Sequence, residues 1–180
     1  MASILSFNGK TPSIADGVFL APDAQIIGDV TIEEGSSIWF GAVIRGDFGP
    51  IHIGKYTSIQ DNCVVHVTEK GTRVGDYNTI GHGAVLHECQ LGANVVIGMN
   101  AVLLDETVVE SDTVIGANST ISVGTRIPGR TLAAGSPAKV KKELEGESLW
   151  WVQNSANEYI ELLKKYPDDY FHKNTTAGSR

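Results

Sequence analysis

The sequence predicts an all-β chain: a parallel β-helix of hexapeptide repeats with a C-terminal α-helix. Three observations carry this. A branched aliphatic residue recurs every six positions from Ile14 to Ile127. The fifth position of the same unit is small or β-branched almost throughout. The repeat stops at Ser136-Pro137, and apolar residues then recur at helical spacing.

The repeat opens at Ile14, Leu20, Ile26, Ile32, Ile38 and Ile44. After three extra residues it continues at Ile53, Ile59 and Val65, and after three more at Val74, Ile80 and Leu86. One residue is then lost, and Leu91, Ile97, Leu103, Val109, Ile115, Ile121 and Ile127 complete it. The fifth position is an independent check. It holds Val18, Ala24, Val30, Ser36, Ala42, Thr57, Cys63, Ala84, Val95 and Ala101, then Thr107, Thr113, Ser119, Thr125 and Thr131. Asn78 departs from the pattern within the series, whereas Phe48, Glu69 and Gln90 each stand just before a register change. A period of six matches neither a helix nor simple alternation; it suits a short strand followed by a bend. Three units close a triangular coil, with the aliphatic inside and the small residue at the corner. Coils stack at ~4.8 Å. One coil cannot bury its own face, so a stack is required, and the series supplies about six. Gly54, Gly75, Gly81, Gly92, Gly98 and Gly116 fall second in their units, where a turn is expected to need glycine. The chain is similar in this to hexapeptide-repeat proteins. That resemblance, rather than the period, implies a left-handed coil.

The β-helix domain is assigned to residues 1–137, and the C-terminal helix and tail to 138–180. Leu149, Val152, Ala156, Tyr159, Ile160 and Leu163 recur at helical spacing with charges between them, and Pro167 ends the run. The expected element is an amphipathic helix along the outside of the prism. Trp150 and Trp151 are expected to pack there, and residues after Tyr170 to fray.

Composition narrows the function. Twenty glycines with 7% aromatics suit a fold of tight turns and small inward side chains. A net charge of −7 leaves no basic stripe for nucleic acid. No apolar run of about 18 residues predicts a membrane span. Met1-Ala2-Ser3-Ile4-Leu5-Ser6 lacks the features of a signal peptide, so the expected location is cytoplasmic. Cys63 and Cys89 do not make a disulfide framework. Cys63 occupies the small inward position and is expected in the core, and Cys89 is read as structural.

The five histidines are His52, His66, His82, His87 and His172. His66 and His87 are second residues of units three apart, so they stand on one edge of the prism, one rung apart. At that spacing two imidazoles can converge on one ion. Arg45 lies one rung further down the same edge, and Asp47 follows it. His82 is third in its unit and belongs to another face. A neighbouring prism around a three-fold axis could bring it to the first two, giving the three-histidine set of a catalytic zinc. An isolated outward histidine is ordinarily a surface residue, and His52 and His172 are read so. The vertical alignment of His66 with His87 favours ligation.

Ile44-Arg45-Gly46-Asp47, Gln60-Asp61-Asn62 with His66, and Gly81-His82 with His87 closely resemble the γ-class carbonic anhydrases. The resemblance covers the prism as far as Ala134-Gly135-Ser136-Pro137. It implies a homotrimer with metal at the subunit interfaces, held by His66 and His87 of one chain and His82 of the next. The implied metal is Zn2+, with Fe2+ or Co2+ as alternatives that imidazole ligands do not separate. The implied activity is reversible hydration of carbon dioxide to bicarbonate by metal-bound hydroxide, a lyase reaction. Arg45 and Asp47 match a pair that ties the interface together. Gln60 matches a glutamine that hydrogen-bonds the metal-bound water or bicarbonate. Two departures stand out. Phe48 replaces a glutamate of the best-studied member, and only Val67 to Arg73 fill the place of its long acidic loop. Glu69, three residues after His66, stands where a proton-shuttling glutamate could be. Two other functions suit the same scaffold. One is an acyltransferase, which needs one catalytic histidine and a cleft for coenzyme A. The other is a metal-binding relative with a thioesterase or non-catalytic role.

Overall fold

Each aliphatic that opens a six-residue unit points inward, none being more than 7% exposed. In the computed structural model, which describes residues 2–173, the chain is a left-handed parallel β-helix of about seven turns. The turn beyond the expected six comes from the ends. Ser3–Leu5 and Ser13–Ile14 pair beneath the first complete coil, and Leu132 and Ala133 pair above the last.

The prism has three faces, each a vertical parallel ladder. The first stacks Leu20, Ile38, Ile59, Ile80, Ile97 and Ile115 in register. The second stacks Ile26, Ile44, Val65, Leu86, Leu103 and Ile121. The third stacks Ile32, Ile53, Val74, Leu91, Val109 and Ile127. Burying each such side chain stabilises the fold by roughly 1.5–3 kcal/mol, so the ladders form one continuous core.

All three register changes fall at one corner, between the second and third faces: Ile44 to Ile53, Val65 to Val74, and Leu86 to Leu91. There the outward Phe48, Glu69 and Gln90 give up the inward corner position to Ile51, Thr72 and Cys89, which are at most 2% exposed. The insertions therefore leave the core closed and alter only the outside of this corner. Arg45, His66 and His87 stand on it.

The expected role of the glycines is corrected. None of Gly54, Gly75, Gly81, Gly92, Gly98 and Gly116 has positive φ. They allow close approach between coils instead: a Cβ on Gly75 would lie 2.5 Å from the Gly92 carbonyl oxygen. Left-handed φ falls at the fourth position of the unit, at Gly17, Gly35, Gly41, Tyr56, Asn62, Tyr77, Gly83, Asn94, Asn100, Glu106, Asp112, Asn118, Gly124 and Arg130. Glycine and asparagine are frequent there because they tolerate that region at least cost.

After Ala133 the chain reverses. The strand Ala138–Glu143 pairs antiparallel with Thr131–Gly135, and α1 (Gly146–Leu163) runs back down the first face. Leu149 and Val152 pack over Val96, Val114 and Leu132. Tyr159 and Tyr166 reach the Trp39 ring, at centroid distances of 5.4 Å in each case. Two expectations fail here. Trp150 and Trp151 are 62% and 46% exposed, because the inward stripe of α1 runs through Val152, Ser155, Ala156 and Leu163. The chain after Tyr170 does not fray at once: His172 N donates to Val18 O at 2.7 Å, and Gly17 N donates to His172 O at 2.9 Å. The rest of the tail, 174–180, lies outside the described residues. No helix among the described residues is long and apolar enough to cross a membrane.

Candidate metal centre

The strand Val64–His66 pairs with Val85–His87, and His66 and His87 are direct register partners. Both project outward at the strand ends, with ring centroids 5.2 Å apart. One rung below, Val43 and Ile44 pair with Val64 and Val65, which sets Arg45 beneath His66. Asp47 ties the corner together. Its Oδ1 accepts from His66 Nε2 at 2.9 Å, and its Oδ2 pairs with Arg45. Burial pushes the Asp47 carboxyl up, but the hydrogen bonds from His66 and Arg45 outweigh it and hold the group below the ordinary carboxylate value. The Phe48 ring stands edge-on to His66 at 6.0 Å and is 68% exposed.

His82 occupies the turn before Val85, at the opposite end of that strand from His87. Its Nδ1 pairs with Asp61 Oδ2 at 2.7 Å. Gln60 is buried, and its Oε1 accepts from His82 N at 3.2 Å. Carbonyls of Phe40, Asp61, His82 and Met99 accept in turn from Asn62, Gly83, Asn100 and Asn118, so these four stack on one corner. Phe40 and Met99, below and above the polar pair, are 36% and 56% exposed.

The structure thus gathers the sequence-derived residues on two separate corners. One corner carries Arg45, Asp47, His66 and His87, and the other carries Gln60 and His82. Glu69 lies on the surface loop after His66, exposed. His52 faces Glu33 at 3.3 Å on the third face, apart from both corners. Sequence reasoning assigns no role to three polar residues around the histidines, although Asp61 is part of the family-like motif. Asp105 pairs with His87 Nδ1, Asp61 holds His82, and Glu88 is buried with its Oε2 unpartnered among the described residues. Asp61 and Asp105 share the third position of the unit with His82, a coincidence of register that could have exposed them.

Comparison with known proteins bears on this arrangement. The family model described as bacterial transferase hexapeptide (six repeats) matches residues 11–46, 71–105 and 88–122. A protein of Methanocaldococcus jannaschii named probable carbonic anhydrase is 46% identical over 151 residues, which cover 83% of this chain and 94% of that one. The chain belongs to the γ-class carbonic anhydrase family. It is also 41% identical over 169 residues to gamma carbonic anhydrase 2, mitochondrial, of Arabidopsis thaliana, covering 90% of this chain but only 61% of that protein. The crystal structure of a hexapeptide transferase family protein from Anaplasma phagocytophilum superposes with a TM-score of 0.89 at 39% identity, covering 92% of this chain and 98% of that one.

Membership of the γ-class carbonic anhydrase family implies a metal, and the donor set can be tested for fit. Histidines that ligate metal typically rest their other ring nitrogen on a carboxylate. His82 and His87 both do so through Nδ1, leaving Nε2 as the donor. Among the described residues of one chain, no three His, Cys, Asp or Glu side chains group as a metal site. These carboxylate-backed imidazoles have the donor chemistry that suits a divalent ion, and within one chain they do not gather as a set of three among the described residues.

Proposed function

We propose that this chain is a metal-dependent γ-type carbonic anhydrase that acts as a homotrimer and interconverts carbon dioxide and bicarbonate at its subunit interfaces. The observation that carries the reading is the in-register pair His66 and His87 on one corner, with carboxylate-held His82 on the other. Closed three-fold symmetry gives every first corner a second corner from the neighbour. Exposed apolar side chains beside each half-site, Phe48 on one and Phe40 and Met99 on the other, suit burial in such an interface.

His66 and His87 of one subunit and His82 of the next would hold the ion, Zn2+ by ligand type, with Fe2+ and Co2+ also accepted by imidazole. When bound, it supplies the Lewis acidity that makes hydroxide available from water near neutral pH, the behaviour known for zinc carbonic anhydrases themselves. The protein's own groups do the rest. Asp47, anchored by Arg45, orients His66. Gln60 has its carbonyl engaged by His82 N, so its amide NH2 is free to donate to an oxygen of bicarbonate. Glu69 supplies an exposed carboxylate three residues from His66 for carrying the proton to buffer.

The test is metal analysis paired with activity. Protein purified without chelator should carry roughly one divalent ion per chain, sediment as a trimer and hydrate carbon dioxide. A monomer at micromolar concentration, or a trimer that takes up no ion after metal is added back, would sink the reading. Acyl transfer is the second reading, favoured by the close superposition on the Anaplasma hexapeptide transferase family protein. Acetyl transfer from acetyl coenzyme A by the metal-free protein, with no hydration by the loaded protein, would support it.

A further inference from the structure

We propose that Asp105 is a positioning residue that fixes which nitrogen of His87 is offered to a metal; this rests on the reading of His87 as a ligand. Asp105 sits in the turn after Val102–Leu103, whose residues are the register partners of Val85 and Leu86 one rung below. Its place is set by backbone: Leu104 N donates to Ile121 O at 3.1 Å, and Gly124 N donates to Asp105 O at 2.9 Å. From there its Oδ1 faces His87 Nδ1. An ionised carboxylate only accepts hydrogen bonds. In the neutral ring, this contact puts the proton on Nδ1 and the lone pair on Nε2.

The His66 ring is held in the opposite sense. Asp47 below it engages Nε2, whereas Asp105 above engages Nδ1 of His87. The two rings, tilted at 54° to each other, are thus clamped between carboxylates on neighbouring rungs, and of the two only His87 is held with Nε2 clear. Asp61 does the same for His82 on the other corner. Asp105 pre-selects the tautomer that His87 must have to ligate through Nε2, and its charge strengthens that nitrogen as a donor. Without it the imidazole divides between tautomers and ring orientations, and binding must first reorder it.

The experiment uses the full-length protein, with Co2+ added to the metal-free form as probe and followed by visible absorption, and compares Asp105→Ala and Asp105→Asn with wild type. Asp105→Ala should weaken Co2+ binding by about 10–100-fold. Asp105→Asn, whose carbonyl oxygen still accepts from Nδ1, should stay within a few-fold of wild type. Nitrogen-15 spectra of the metal-free proteins should show the His87 proton on Nδ1 in wild type and Asp105→Asn, and on Nε2 in a substantial fraction of Asp105→Ala. Equal Co2+ affinity in wild type and Asp105→Ala would overturn the proposal while leaving the metal site intact. Wild-type protein that binds no Co2+ would overturn both. A wild-type His87 protonated on Nε2 would overturn the proposal without any variant, so it stays testable even if Asp105→Ala does not fold.

Discussion

His66 and His87 face each other across adjacent strands in direct register, their rings 5.2 Å apart. The step between coils, a property of the repeat, sets that distance. A loop-borne pair would depend on the loop's own order. Here the geometry is as rigid as the core beneath it, where Val65 and Leu86 pair on the same rungs, fully buried.

The closeness of those rungs has a direct test in glycine. At Gly75 an added Cβ would meet the Gly92 carbonyl oxygen at 2.5 Å and its carbon at 2.7 Å, and backbone has little room to give. Gly124 has φ +68 with nothing within 4 Å of the added atom. Gly75→Ala should cost about 3 kcal/mol through overpacking, and Gly124→Ala about 1 kcal/mol through left-handed strain. Denaturant unfolding of the two variants checks the order. Equal losses would mean that the second-position glycines serve backbone conformation after all.

The buried thiols give a second test. Burial pushes Cys63 and Cys89 up to about 12, and the thiolate is the reactive form. At pH 8 the folded protein should react negligibly with a disulfide reagent, and both thiols should react after unfolding in guanidinium. Rapid labelling of either thiol in the folded state would contradict the packing of the corner that holds it.

The sequence made the prism legible because one residue in six must be a large aliphatic and another must fit a corner. Both demands leave a periodic mark that survives two insertions and a deletion. Cys89 shows the limit. Its inward role depends on which residues the shortened corner turns outward, and the six-residue count assigns that position to Gln90. The glycine error has a similar root. Glycine serves either positive φ or close approach, and composition alone does not say which. In the candidate site, the alignment of His66 with His87 followed from counting units. Asp61 and Asp105 did not, since their contacts depend on how side chains lean along an edge. The exposure of Trp150 and Trp151 was hidden because helical spacing fixes a stripe only to within a residue or two.

Glu69 offers a kinetic prediction. It is an exposed carboxylate on the short loop after His66. If it carries protons, small buffers can substitute for it, because they reach the same surface. Glu69→Gln should therefore lower the rate of carbon dioxide hydration more in weak buffer than in strong buffer. A loss of equal size at every buffer concentration would remove Glu69 from that role and direct attention to another base.

The sharpest prediction concerns which subunit supplies which histidine. His82 lies at the far end of the strand that ends in His87, and no three ligating side chains group among the described residues of one chain. His66→Ala and His82→Ala should each be inactive alone. Unfolded together and refolded as a mixture, they should recover activity, because every mixed trimer contains one interface where an intact His66 and His87 corner meets an intact His82. With random 1:1 assembly about three quarters of trimers are mixed, each with one good site in three, so about a quarter of sites should return. A mixture of His66→Ala with His87→Ala should return nothing, since no single chain then carries both residues of that corner. This control separates shared ligation from a general rescue of folding. Recovery in both mixtures, or in neither when mixed trimers are shown to form, would mean that His82 does not act across the interface.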